Sequence, residues 1–470
     1  MSALTVAVNG CSHGELDVIY ETLQHIEATQ GVRCDLLLCC GDFEAIRDHV
    51  DLSCMNVPPK YRKMGSFASY LDGTRTAPVL TVFVGGNHEA SNHLLERYHG
   101  GWLAPNIYFL GMAGVVVVNG VRIAGLSGIY NARDFDKGRY EAPPFSEQDL
   151  RSVYHVRQFD VMRLSLLASP LDVMLSHDWP RGIYKHGDFA QLFAWKSFLA
   201  DERDEFGSPA NMQLLHTLRP TYWFCGHMHV KFAAVVQHSA ASSNAPAHST
   251  HFLALDKVGP RKQFLQLLNV RAGAPPTAAA IRPARAQSAP PTQCFLSIDR
   301  EWLAVLHATL PFFNNSARRV SMPPADVTTP LVAASRRLVD ELIRDEELLV
   351  PPIFMPGAPS LVDLLLARLQ AAAPPVPLAA TGFSFGGVVE PDADDAAPDV
   401  NDKLNEKLEN DEEIELPDEE EVEAPVSVSV ASSSSSTSAS ASASASVGVA
   451  VATKKNVEEV ELPDDEEVDD

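Results

Sequence analysis

The feature that most constrains this chain is a series of short apolar runs that each close on a polar loop. They cover residues 4–8, 35–40, 79–84, 115–118, 121–126, 171–175 and 222–225. Runs this short, rich in Val and Leu along their whole length, predict strands buried on both faces. Helix-like stretches lie between them, so residues 1–237 read as one α/β unit, a sheet of mixed direction layered with helices. Asn119-Gly120, between two of the runs, predicts a two-residue hairpin.

Five of these expected strand ends carry residues that bind cations. NGCSHG supplies Cys11 and His13, and GDFE supplies Asp42. GGNHEA supplies Asn87 and His88, LSHDWP supplies His177, and GHMH supplies His227 and His229. In an open α/β sheet the carboxyl ends of strands gather at one rim, where ligands bind. Any one motif alone has an ordinary explanation: Asp42 can be a turn residue and His177 a cap neighbour. Five in order predict a metal site. His227 and His229, two apart on an extended chain, are expected to face the same way. Adjacent Asn87 and His88 are expected to diverge, one toward metal and one toward substrate. Asp42 has two oxygens and can bridge two cations, which together clamp a phosphodiester and activate a water.

This ordered set resembles the calcineurin-like metallophosphoesterases, whose motifs run Asp-x-His, Gly-Asp, Gly-Asn-His-Asp/Glu, His and Gly-His-x-His. The chain departs once: Cys11 stands where that superfamily has Asp. Cys at that place, SHDWP, and the segments 252–268 and 296–313 are similar to the RNA lariat debranching enzymes, over roughly residues 1–370. The resemblance implies a β-sandwich flanked by helices (1–237), a smaller, mostly helical C-terminal domain (251–380) and hydrolysis of the 2′,5′-phosphodiester at the branch point of excised intron lariats. It implies two divalent ions. His13, Asp42 and His229 would hold one, with Cys11 at or near it; Asp42, Asn87, His177 and His227 would hold the other. His88 would face the scissile phosphate as the catalytic residue. A thiolate is softer than a carboxylate, so Fe(II) or Zn(II) is expected over Mg(II), with Mn(II) able to substitute. Cys11 can equally be a small buried residue under the loop.

Residues 129–160 interleave aromatic and basic side chains, the recipe for unpaired nucleic acid. Tyr130, Arg133, Arg139, Tyr140 and Tyr154 are the expected RNA contacts, with Arg157 among the other basic residues. The segment falls where debranching enzymes have their lariat recognition loop. Six acids in the same stretch count against a purely electrostatic grip. Residues 58–70, with Lys60, Tyr61, Arg62 and Lys63, are a second candidate or a solvated helix start.

The remainder is read from composition. The whole chain has 61 Asp+Glu against 37 Lys+Arg. Residues 390–470 hold 26 of those acids and 4 bases, so the rest is nearly neutral and need not repel phosphate. That tail repeats EIELPDEEEVE as EVELPDDEEVD around a Ser/Ala/Val-rich stretch, a composition expected to be disordered. It is a solubilising appendage or a docking site for a basic partner. Residues 238–250 read as a loop, 335–349 and 361–369 as helices, and the Ala/Pro-rich stretches 272–292 and 371–380 as linkers. No apolar stretch is long enough to cross a membrane, and no signal peptide is expected. Seven sparse cysteines suit a reducing compartment. Nuclear residence follows only from a lariat substrate. A metallophosphoesterase of another specificity, such as a linear-RNA nuclease or a phosphoprotein phosphatase, is the alternative. A non-enzymatic scaffold would betray itself by missing ligands.

Overall fold

The computed structural model describes residues 3–239, 248–271, 294–381, 383–384 and 407. The 272–292 stretch and the acidic tail, apart from Lys407, lie outside the described residues, as do the readings placed on them.

Thirteen strands occur among the described residues. They are β1 Leu4–Asn9, β2 Leu36–Cys39, β3 Leu80–Phe83, β4 Gly101–Ala104, β5 Ile107–Phe109, β6 Ala113–Val118, β7 Val121–Leu126, β8 Val173–Ser176, β9 Tyr222–Cys225, β10 Phe232–His238, β11 His248–Ala254, β12 Leu265–Val270 and β13 Leu296–Ile298. They form two sheets, ordered β12-β1-β2-β3-β5-β4 and β10-β11-β9-β8-β7-β6-β13.

The period of two explains the layers. In β1, Val6 and Val8 enter the core between the sheets, while Ala7 points to the outer core with helix Leu16–Gln30. In β2, Leu36 and Leu38 face inward, and Leu37 and Cys39 outward. Most positions of β1 to β3 are therefore apolar, because both faces are covered; the buried exceptions, Asn9 and Thr81, are hydrogen-bonded, to Ser12 and Phe264 and to Tyr20. All seven runs read from the sequence become strands, and Asn119 and Gly120 form the expected hairpin, with φ of 48° and 89°.

Strand direction places the site. β1, β2 and β3 are mutually parallel, as are β7, β8, β9 and β11. The carboxyl ends of β1, β2, β3, β8 and β9 lead directly into the five motif loops.

Beyond residue 237 the chain differs from the sequence reading. Residues 248–250 are strand, not loop. The region from 251 is not only helical: β11 pairs with β9 and β10, β12 pairs antiparallel with β1, and β13 pairs with β6. Edge positions next to β1 and β6 are filled by chain more than 170 residues away in sequence, a pairing that local pattern cannot reveal. The helix expected from 335 starts earlier, at Ala325, and carries Pro330 within it. Helix Leu361–Ala372 matches its expected place; residues 371–372 belong to it rather than to a linker. The described residues fall within one unit, residues 1–430.

Candidate metal centre

The five loops are fastened to one another by their backbones. Ser12 N–H and His13 N–H donate to the carbonyls of Gly41 and Asp42, at 3.2 and 2.6 Å. His88 N–H donates to Asp42 Oδ1 at 2.9 Å, and Gly226 N–H to His177 O at 3.3 Å. His227 N–H donates to Cys11 Sγ at 2.8 Å. Two glycines make the approach possible. A Cβ on Gly41, where φ is 110°, would overlap the His177 ring, and one on Gly86 would overlap the Asp42 carboxylate.

The loops are bent further than the sequence indicated. Of nine described non-glycine residues with positive φ, five lie here: His13, Asp42, Glu44, His227 and His229. The expectation that His227 and His229 lie on extended chain is therefore incorrect. Both are left-handed, at φ of 70° and 46°, and they face different partners. The His227 ring lies 4.8 Å from that of His177; His229 Nε2 lies 3.2 Å from His13 Nε2. Such backbone costs about 1–3 kcal/mol per residue and persists only where surrounding contacts enforce it.

Asp42 stands between two donor sets. Its Oδ2 is 3.7 Å from His13 Nε2, and its Oδ1 is 3.3 Å from His177 Nε2. On the first side, ligand atoms of Cys11, His13, Asp42 and His229 all lie within 4.8 Å of one another. On the second, Asn87 Oδ1 is 2.9 Å from His177 Nε2, and His177 Nδ1 donates to Cys40 O at 2.8 Å. His88 is buried, its ring 5.3 Å from that of His13.

The protonation states suit cation binding. Burial alone would raise the Asp42 carboxyl, but the imidazoles of His177, His88 and His13 and the His88 N–H carry it far below the usual range. Burial holds His177, His227 and His229 below the usual histidine value, so they are neutral donors. Burial, then Asp42, raises the Cys11 thiol well above its usual value, so ligation would require a cation to displace its proton. Two nitrogens bound tetrahedrally at ~2.0–2.1 Å from a zinc ion stand roughly 3.3 Å apart, close to the His13–His229 spacing of 3.2 Å. The side chains present fit divalent cations.

Two carboxylates here carried no role in the sequence reading, although both stand in quoted motifs. Glu89 accepts N–H groups from Phe43, Glu44 and Gly86 at 2.8, 3.0 and 2.9 Å, so it ties the second loop to the third. Burial pushes its pKa up to about 8. Glu44 Oε1 lies 3.3 Å from His13 Nδ1. An acid two residues after Asp42 and another directly after His88 were the available signals.

The 129–160 segment divides. Tyr130, Arg133 and Tyr140 are partly exposed. Tyr130 N–H donates to Asp178 Oδ2, and its ring lies under the Arg181 guanidinium at 5.9 Å. The Tyr140 hydroxyl meets Ser152 Oγ at 3.2 Å. Arg139 and Tyr154 are buried, which corrects their reading as RNA contacts. Arg139 bonds Asp160 Oδ2 at 3.0 Å and Val153 O at 2.8 Å; the Tyr154 hydroxyl accepts from Asn56 Nδ2 at 2.8 Å. Arg157 is also buried, paired with Glu141. Three of the six acids also turn inward: Glu141 and Asp160 with these cations, and Asp134 with Lys137 and His155. Lys60, Tyr61, Arg62 and Lys63 lie in or beside the short helix Pro59–Tyr61, partly to fully exposed.

The description calcineurin-like phosphoesterase belongs to a family model that matches residues 4–231, and lariat debranching enzyme, C-terminal domain, to one that matches residues 247–375. A lariat debranching enzyme of Homo sapiens is 50% identical over 322 residues, covering 68% of this chain and 56% of that protein. One of Danio rerio is 51% identical over 308 residues, 65% and 51% of the two chains. One of Arabidopsis thaliana is 52% identical over 269 residues, 57% and 63% of the two. The chain thus spans little more than half the length of the first two relatives.

Proposed function

We propose that the chain is a member of the lariat debranching enzyme family and hydrolyses the 2′,5′-phosphodiester at the branch point of excised intron lariat RNA. The observation that carries this reading is the carboxylate of Asp42 set between two clusters of imidazole, amide and thiol donors. Family and donors together call for divalent metal ions.

Cys11, His13, Asp42 and His229 would hold one ion, and Asp42, Asn87, His177 and His227 the other. Divalent cations bound there would supply charge neutralisation for the phosphodiester oxygens and would lower the pKa of a water. The protein's own part is orientation and proton transfer. Asp42 fixes the spacing of the two sets. His177 keeps its Nε2 lone pair available because its Nδ1 proton is held by Cys40 O. Water attacks phosphorus, the bond to the 2′ oxygen breaks, and the His88 ring gives the leaving oxygen a proton. The product is linear RNA.

With imidazole and thiol donors, Fe(II) or Zn(II) is the favoured loading, and Mn(II) is able to substitute. Tyr130, Arg133 and Tyr140 are the loop residues available to RNA. Nuclear residence follows from the substrate and is checked by imaging a tagged chain. Among the described residues no helix is long and apolar enough to cross a membrane.

The test is one branched RNA with a single 2′,5′ bond beside its linear 3′,5′ counterpart, with metal analysis of the same preparation. Cleavage only at the branch is expected. Comparable kcat/KM on linear RNA or on p-nitrophenyl phosphate would move the assignment to another phosphoesterase specificity.

A further inference from the structure

We propose that Glu44 is a positioning residue of this centre: its carboxylate takes the Nδ1–H of His13 and so commits the His13 Nε2 lone pair to the cation shared with Cys11, Asp42 and His229. The inference rests on the metal reading above and adds a residue to it.

A neutral imidazole carries its proton on one nitrogen only, and the group facing that nitrogen decides which. His13 Nε2 points at the donors, 3.2 Å from His229 Nε2 and 3.7 Å from Asp42 Oδ2. His13 Nδ1 faces Glu44 Oε1 at 3.3 Å. A carboxylate only accepts, so the proton belongs on Nδ1. His177 has the same arrangement, with Cys40 O in the accepting role at 2.8 Å. One ring on each side of Asp42 is thus held by an acceptor behind it. On the His177 side the acceptor is backbone; on the His13 side it is a side chain.

Glu44 is itself held in place. It is buried, with left-handed backbone at φ 57°, and its N–H is fixed by Glu89 Oε2 at 3.0 Å. Gly14, at φ 73°, follows His13 directly, and a Cβ there would stand 3.3 Å from Glu44 Oε2. The absence of a side chain at 14 therefore leaves the room that the carboxylate occupies. The carboxylate also lies close to His88, since ligand atoms of His13, Glu44 and His88 lie within 4.8 Å of one another. It sits between the cation side and the ring that faces substrate.

The experiment uses the full chain, stripped by chelation and titrated with Zn(II) alone, as wild type, Glu44→Ala and Glu44→Gln. Unfolding of the stripped proteins is followed in parallel. Wild type is expected to take up two ions. Glu44→Ala should lose roughly 10–100-fold in affinity at one of the two, the usual effect of removing such a partner, with little change in the metal-free Tm. Glu44→Gln keeps an oxygen that accepts the Nδ1 proton and should restore most of the loss. In zinc-loaded wild type, ¹⁵N histidine spectra should show His13 protonated on Nδ1. Unchanged affinity in Glu44→Ala, a Gln variant as weak as the Ala variant, or an Nε2-protonated His13 would overturn the assignment. If Glu44→Ala does not fold, the Gln variant and the spectra decide. Wild type that binds no zinc would instead sink the metal reading itself.

Discussion

Removing the Asp42 carboxylate takes an oxygen from both donor sets at once, whereas removing His88 takes a ring from neither. Asp42→Ala is therefore expected to lose most bound metal, and His88→Ala to keep it while turnover falls by about 10²–10⁴. Metal analysis and single-turnover cleavage of the same preparations check the pair; an Asp42 variant with full metal content would disprove the shared ligand. Arg139 sits on a different ledger, since it is paired inside the fold with Asp160. Arg139→Ala takes the ion-pair partner from the buried Asp160 carboxylate and leaves it the Tyr98 hydroxyl, a change worth ~3–5 kcal/mol. It should lower Tm sharply. A variant with wild-type Tm but weaker RNA binding would restore the reading made from sequence. That reading counted residue types at a loop and had no means of telling which face each side chain takes. The candidate ligand residues were legible as loop residues, because each follows closely on an apolar run. Their left-handed backbones were not, because φ above zero is uncommon for any non-glycine residue, His and Asp included, and here it is enforced by contacts between loops from distant parts of the chain.

The strands that carry ligands were legible one by one; their neighbours were not. β1 and β9 each need a partner from beyond residue 247, supplied by β12 and β11. A chain ending at residue 239 would lose β11, β12 and β13 and expose the edges of β1 and β6. It is expected to be insoluble or to unfold without a cooperative transition, while a chain ending near Ala380 unfolds as the full chain does. Scanning calorimetry of both distinguishes this from two separable domains, for which the shorter chain would melt cooperatively. Between elements the contact is also steric. Gly86→Ala would drive a methyl into the Asp42 carboxylate, so metal affinity should fall while strand content by circular dichroism is kept.

Beyond the centre, burial lowers the pKa of several histidines, among them His93, His238 and His307. His238, on β10 and away from the centre, illustrates the consequence. Burial first, then His248 and Arg219, lowers its pKa to about 4. An unfolded histidine titrates near 6.5. Between those values the unfolded chain binds a proton that the folded chain does not, so stability is complete above about pH 6.5 and is lost as pH falls toward 4. The Tm of the metal-free protein should fall across that window, and less steeply in His238→Gln; equal slopes would remove His238 from the account. The same scale separates what the chain states from what folding adds. The amino-acid sequence alone determined the strand–loop alternation, the order of the candidate ligand residues and the hairpin at Asn119-Gly120, because these depend on neighbours within a few positions. Only the tertiary structure decided that Asp42 faces two donor sets, that Glu44 backs His13, that Arg139 and Tyr154 turn inward, and that residues beyond 247 complete both sheets. Those outcomes depend on groups brought together from distant parts of the chain, and on contacts strong enough to hold backbone where local preference would not place it.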